Sequence, residues 1–192
     1  MKVCARLFLS VLVLLLAPAI FAQRQTFTVD SGTSQVGFGL NGTGHHVKGV
    51  FHVQGGSVTF DPGAQSMSGM ILVAASSGDS GEAGRDKKMN SDVLNVDKYP
   101  EISFAPKGFQ GVLSPTGDSM LQVSGTFTLH GAAHEITVPM QIHIEGSNLA
   151  AKGNFVVPYV QWGLKDPSIM ILKVAKEVDI DLNLSGHIAP VN

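Results

Sequence analysis

The chain has 192 residues, of which 44% are hydrophobic and 15% are charged, a size and balance typical of one folded domain. The apolar content excludes a disordered polyampholyte, and 13 Lys and Arg residues against 15 Asp and Glu exclude a strongly basic nucleic-acid-binding face. We therefore expect a sizeable apolar core and no nucleic-acid partner.

Residues 1–22 are predicted to be a secretory signal peptide that is cleaved. Lys2 and Arg6 precede an uncharged run at 7–21. As a helix this run would be about 22 Å long, short of the roughly 30 Å hydrocarbon layer, which disfavours the alternative of a permanent anchor. Cleavage after Ala22 is expected, with a second candidate site after Ala19. The mature domain, 23–192, is then periplasmic or secreted.

The mature domain would contain no thiol, because Cys4 is the only cysteine and leaves with the signal. Removing two of the 13 basic residues leaves 11 against 15 acidic ones. This mild acidity disfavours nucleic acids and anionic membrane surfaces as main partners.

From residue 23 onward, apolar and polar side chains alternate with the period of two that indicates half-buried strands. The final segment shows it most clearly, since Val178, Ile180 and Leu182 alternate with acidic or amide side chains. The predicted strands lie, in chain order, within residues 36–40, 47–53, 58–60, 102–104, 121–129, 136–144, 149–157 and 178–188.

The segments between these strands predict antiparallel pairing. Short glycine-containing spacers at 54–56 and 130–132 suit hairpins, and Pro139 suggests an edge or bulge position in its strand. Residues 82–95 are predicted to form one short helix, which could cap a barrel end.

The fold class is all-β, and alternation alone does not choose between a closed barrel and two packed sheets. Glycines within the strand patterns, among them Gly49 and Gly125, suit sharply curved strands and favour the barrel.

Catalytic and metal sites are not indicated. His45 and His46 are adjacent and would point to opposite faces of a strand, so at most one could join His52 in binding a metal. The mature sequence has no G-x-S-x-G elbow, no cysteine nucleophile and no phosphate-binding loop. We expect no enzyme activity, no metal and no cofactor.

Several motifs resemble, in the same order, those of the YceI-like, polyisoprenoid-binding exported proteins. They are TVD at 28–30, SQVGF at 34–38, VKGVF at 47–51, GRD at 84–86, VDKYPEISF at 96–104, GTFTLHG at 125–131 and EITVP at 135–139. The sequence departs from the family pattern in two places. Lys88-Met89 replaces a usual His-Leu pair, and Val93-Leu94-Asn95 replaces a usual Phe-Phe-Asp.

The resemblance implies an extended eight-stranded antiparallel β-barrel, lipocalin-like in outline, that binds a polyisoprenoid or a related long-chain amphiphile. The expected partner is thus an isoprenoid or other lipid, with monomer or homodimer left open. Two alternatives are a packed barrel that acts through its surface as an interaction or stress-response module, and an enzyme that holds substrate in the cavity. The candidate ligand-binding residues are Phe38, Leu40, His46, Phe51, Val53, Arg85, Ile102, Phe104, Val123, Phe127, Val138, Met140, Phe155 and Trp162, with Arg85 or His46 placed to meet a polar head.

Overall fold

A computed structural model describes residues 23–170 and 173–191, so the predicted signal peptide lies outside the described residues. The described chain forms nine strands, a 3-10 turn at Ala75–Ser77 and one short helical segment. The strands are β1 (Gln25–Val29), β2 (Gln35–Gly42), β3 (His45–Asp61), β4 (Ser66–Ala74), β5 (Glu101–Gln110), β6 (Gly117–Leu129), β7 (Ala132–Glu145), β8 (Asn148–Val157) and β9 (Val178–Pro190).

The strands close into an antiparallel barrel with eight positions around its wall, as predicted. Neighbours follow the order β3-β2-β9-β8-β7-β6-β5-β4, and β4 pairs back with β3. There are nine strands for eight wall positions because β1 and β2 share one position. Both β1 and β2 lie between β3 and β9, with β2 paired to the first half of each and β1 to the second half.

Strand β3 corrects one prediction. The glycine pair at 55–56 does not form a hairpin; it forms a bulge within one 17-residue strand. Gly55 and Gly56 have φ of 150° and 135°, which favour glycine. A bulge inserts an extra residue and reverses which side chains face inward. Val53 and Val58, an odd number of residues apart, are therefore both buried.

Inward glycines make room for large side chains on neighbouring strands. A Cβ on Gly49 would lie 2.3 Å from Phe38 Cζ, and a Cβ on Gly125 would lie 2.9 Å from Phe104 Cζ. Such distances are far below van der Waals contact. These glycines thus let aromatic rings lie against the inner wall, in agreement with the predicted role of glycine in a barrel.

The predicted helix is present between β4 and β5, as α1 (Ala83–Lys88) followed by a π-helical turn at Met89–Leu94. Glu82 caps α1, because its carboxylate accepts hydrogen bonds from the backbone N–H groups of Gly84 and Arg85 at 2.9 and 2.7 Å. Asn95 ends the segment with φ of 47°, a left-handed conformation that asparagine tolerates.

The two ends of the barrel differ. At one end, inward side chains pack together with none of the described strands or helices covering them, and they are at most 7% exposed: Phe27, Phe60, Phe109, Leu121, Ile144 and Leu149. The other end receives the helical segment and the long connection at 158–177. Within the described ranges, no helix is both long enough and apolar enough to cross a bilayer.

Candidate functional site

A cavity of about 520 Å³ occupies the half of the barrel next to the helical segment. Neighbouring strands run in opposite directions. The cavity is therefore lined by the first half of β3, β5, β7 and β9 and by the second half of β4, β6 and β8. The apolar side chains that line it from the strands are Val36, Phe38, Leu40, Val47, Phe51, Ile71, Val73, Ile102, Phe104, Phe127, Leu129, Ile136, Val138, Phe155, Val157, Val178, Ile180, Leu182 and Leu184. An apolar wall of this kind suits a hydrocarbon ligand.

The helical segment forms one side of the cavity mouth and is fixed to the wall through Ser80. Asp79 and Val50 of β3 exchange two backbone hydrogen bonds of 2.9 Å. The Asp86 carboxylate accepts from both the N–H and the hydroxyl of Ser80. Arg85 Nε donates to Ser80 Oγ at 2.7 Å, and Arg85 Nη2 donates to the Ser80 carbonyl at 2.8 Å. The adjacent Arg-Asp pair therefore fixes the helix against the barrel.

The connection between β8 and β9 forms the opposite side of the mouth. Tyr159 and Leu164 are 5% and 4% exposed and line the cavity. Tyr159 Oη donates to the Ala175 carbonyl at 2.7 Å, and desolvation on burial raises the pKa of Tyr159 to about 12. Lys165 Nζ contacts Asp92 Oδ2 at 3.2 Å and so joins the two sides of the mouth.

The barrel wall has a gap between β7 and β8 on the cavity side. Their ladder of hydrogen-bonded pairs ends at Met140–Gly153. The residue that precedes Met140 on β7 is Pro139, whose nitrogen cannot donate a hydrogen bond. The earlier part of β7 has no hydrogen-bonded partner in β8. Trp162 fills this space, stacked on His134 and 6.0 Å from the ring centre of Phe127.

The mouth of the described cavity carries polar and charged side chains. His45, Ser80, Glu82, Arg85 and Lys88 are among its lining residues. Glu82 is occupied by capping, whereas neither Arg85 nor Lys88 forms a salt bridge with another described residue. The mouth therefore carries two cationic groups beside an apolar interior.

The structure brings nine of the fourteen candidate residues together around the cavity: Phe38, Leu40, Phe51, Arg85, Ile102, Phe104, Phe127, Val138 and Phe155. Val53, Val123 and Met140 also face inward, but they are buried beneath the cavity in the packed half. Trp162 lies in the wall gap. His46 lies on the outer face, where its Nδ1 is 2.7 Å from Asn41 Oδ1.

Several lining residues were missed from the sequence. Ile180 and Leu182 were identified as inward-facing, and only their depth in the barrel was not apparent. Ile71 and Val73 lie on β4, which has no clear alternation before Met70. Four lining residues, Lys88, Met89, Val93 and Leu94, occupy the positions at which the sequence departs from the family pattern.

The predicted histidine arrangement is visible on β3. His45 and His46 point to opposite faces, and among the described residues no three His, Cys, Asp or Glu side chains gather in a way that could hold a metal ion.

Solved structures that share this fold include two bacterial proteins. Burkholderia cenocepacia BcnA is 23% identical and matches with a TM-score of 0.66 over 82% of this chain and 99% of that one. A domain from Saccharophagus degradans, described as a polyisoprenoid binding domain implicated in plant cell wall breakdown, is 13% identical with a TM-score of 0.63 over 85% and 98%.

Relatives in two Vibrio species match most of this chain in sequence. A UPF0312 protein of Vibrio parahaemolyticus is 28% identical over 187 residues, which is 94% of this chain and 96% of the relative. A UPF0312 protein of Vibrio cholerae is 27% identical over 157 residues, 80% and 81% of the two chains. The YceI-like domain family matches residues 27–186, and the chain therefore belongs to the YceI-like family.

Proposed function

We propose that the mature chain, residues 23–192, is an exported lipid-binding protein and not an enzyme. Its barrel holds one polyisoprenoid or similar long-chain amphiphile, such as an isoprenoid quinone or a fatty amide, for transport, storage or a stress response. The observation that carries this proposal is the apolar cavity of about 520 Å³, which lies within the usual size range of small-molecule sites.

The hydrophobic effect is sufficient for binding. Each buried CH₂ group contributes about 0.8 kcal/mol, so ten buried carbons contribute roughly 8 kcal/mol before the costs of ordering the ligand. Micromolar affinity corresponds to a net free energy of about 8.2 kcal/mol, so a few further buried carbons are needed to offset the ordering costs. Such a site selects for the length and width of a chain more than for its chemistry.

Arg85 is the residue we assign to the polar head of the ligand. Its Nε and Nη2 atoms are held by Ser80, which fixes the guanidinium plane at the mouth. Lys88 adds a second positive charge on the same helix. A head with hydrogen-bond acceptors, such as a hydroxyl, a carbonyl or an acidic group, fits this position. His46 is not assigned this role, because it lies on the outer face.

The comparisons support a lipid ligand. The Saccharophagus degradans domain that shares the fold is described as polyisoprenoid-binding. The polar groups at the mouth of this chain are mainly engaged in fixing the helix, as the capping role of Glu82 and the bonds of Asp86 illustrate. This arrangement favours binding over catalysis.

Titration of the delipidated protein with a polyprenol, an isoprenoid quinone and a fatty amide tests the proposal. Trp162 is the single tryptophan and contacts Phe127 of the cavity wall, so its emission reports on the cavity. We expect saturable changes at one ligand per chain. If none of the three is taken up, the packed, surface-acting module replaces this proposal.

Export has a separate test. N-terminal sequencing of the protein from its native host is expected to find Gln23 as the first residue, in a periplasmic or extracellular fraction. Recovery of the chain with its first 22 residues from the cytoplasm would contradict export.

A further inference from the structure

We infer that the cavity accepts only about 12 to 18 carbons of a lipid chain and so selects amphiphiles with a short tail, or the end of a longer one. This inference rests on the proposed lipid-binding function and adds a limit on ligand length. It follows from the way the barrel is divided into an open half and a packed half.

The floor of the cavity is formed by Val53, Val123 and Met140. Val53 is the next inward residue after Phe51 on β3, and Met140 is the next after Val138 on β7. These three floor residues are 3%, 5% and 7% exposed, whereas Phe51 and Val138 line the cavity above them. Three strands therefore each supply a buried inward residue beneath the open half.

Met140 seals the floor against β8. It lies opposite Gly153, and a Cβ on Gly153 would lie 2.4 Å from Met140 Sδ. The thioether thus occupies the space that a side chain at 153 would take. Below this layer, Phe27, Phe60 and Phe109 fill the barrel to its end. A ligand chain could advance only by displacing close-packed side chains.

The depth of the open half sets one limit on the chain. On β9 the lining runs from Val178 to Leu184. Six residue steps of about 3.4 Å, at the strand tilt of about 40° typical of barrels, give an axial depth of roughly 15 Å. Carbon–carbon bonds of about 1.5 Å with angles near 111° advance an extended chain by about 1.25 Å per carbon. The depth therefore holds about 12 carbons.

The volume shows that a bent chain can exceed this length. A methylene group is close in size to a water molecule, which occupies about 30 Å³ in the liquid. A cavity of about 520 Å³ therefore holds at least about 17 methylene groups when the chain bends. A straight chain reaches the floor at about 12 carbons, the length of three isoprene units, and an eight-unit polyprenyl chain is too long to be enclosed without folding back on itself.

A length series measures this limit directly. Linear alcohols of about 8 to 20 carbons, farnesol and a polyprenol of about 40 carbons are titrated against the delipidated, detergent-free protein by displacement of a fluorescent fatty probe. Each added methylene is expected to raise affinity by up to about fourfold, until a break point between about 12 and 18 carbons. Longer chains should gain nothing further. An affinity that keeps rising through 20 and 40 carbons overturns the inference while lipid binding stands.

Substitutions in the floor locate the limit. Met140→Ala is expected to move the break point two or three carbons longer, since it removes the side chain above Gly153. Met120→Ala is the matched control, because Met120 is 68% exposed on the outer face of β6 and should leave the break point unchanged. If Met140→Ala does not fold, Val123→Ala opens the same layer. An unmoved break point in the folded floor variants overturns the assignment, and no binding at any length overturns the lipid-binding function together with the limit.

Discussion

The indole of Trp162 stacks on the imidazole of His134 with 3.8 Å between ring centres and 7° between planes. His134 is on β7, and Trp162 is in the connection that follows β8. The stack therefore spans the gap where the β7–β8 ladder has ended. His134 Nε2 is buried without a hydrogen-bond partner among the described residues, so packing, not hydrogen bonding at this atom, holds the ring.

Removal of the indole is expected to open this part of the wall. An aromatic pair contributes about 0.5–1.5 kcal/mol beyond its buried area, which corresponds to as much as tenfold in a rate or an equilibrium. Trp162→Ala should thus release lipid several-fold to tenfold faster, as measured by stopped-flow displacement of a fluorescent lipid. Val156→Ala, at a half-exposed position on β8, is the control. Equal release rates in the two variants would show that the gap is not a route for the ligand.

Phe127 is expected to be the most sensitive lining residue. Its ring contacts both Phe155, at 5.6 Å between ring centres, and Trp162. Phe127→Ala should weaken lipid binding at least tenfold by calorimetry, and it should cost less stability than the roughly 3–5 kcal/mol of a fully buried Phe. Asp179→Ala, on the outer face of β9, should change neither. Similar losses of affinity in both variants would count against the interior as the binding site.

The carboxylate of Asp86 is expected to stabilise the mouth. It accepts two hydrogen bonds from Ser80, and Asp86→Ala leaves that buried serine without them. A loss of about 1–3 kcal/mol in the free energy of unfolding by urea is expected. Lys87→Ala on the same helix, an exposed position, should stay within about 0.5 kcal/mol. A neutral Asp86→Ala result would mean that the Arg85 bonds alone hold the segment.

Acid is expected to weaken the connection at the mouth. Hydrogen bonds from the Ser91 hydroxyl and then Lys165 lower the pKa of Asp92 from its ordinary 3.8, and Ser168 lowers the pKa of Asp166 in the same way. A lowered folded-state pKa stabilises the fold above pH 3.8, and this stabilisation is lost as the pH falls through the folded-state value. The midpoint temperature of thermal unfolding should therefore decrease as the pH is lowered below about 4. The decrease should be less steep in Asp92→Asn. Identical pH profiles for the two proteins would contradict this.

The fold could be predicted from the sequence because alternation reports which face of a strand is buried, and β9 shows it without interruption. Strands β1 and β4 were not predicted, because β1 has only two apolar residues in five and β4 has no clear alternation before Met70. The hairpin expected at Gly55 failed for a local reason: paired glycines suit a bulge as well as a turn. Alternation carries no information about depth along the barrel axis, which is why Met140 and Val138 looked equivalent although only Val138 lines the cavity.

Mass spectrometry of organic extracts from the mature protein, purified from its native host without detergent, tests the central claim most directly. The extract is compared with that of an exported control protein of similar size and surface charge. We predict one long-chain isoprenoid or related amphiphile per protein chain, absent from the control. An extract with no enriched lipid, from a protein that also takes up no added polyprenol or quinone, would contradict the lipid-binding account.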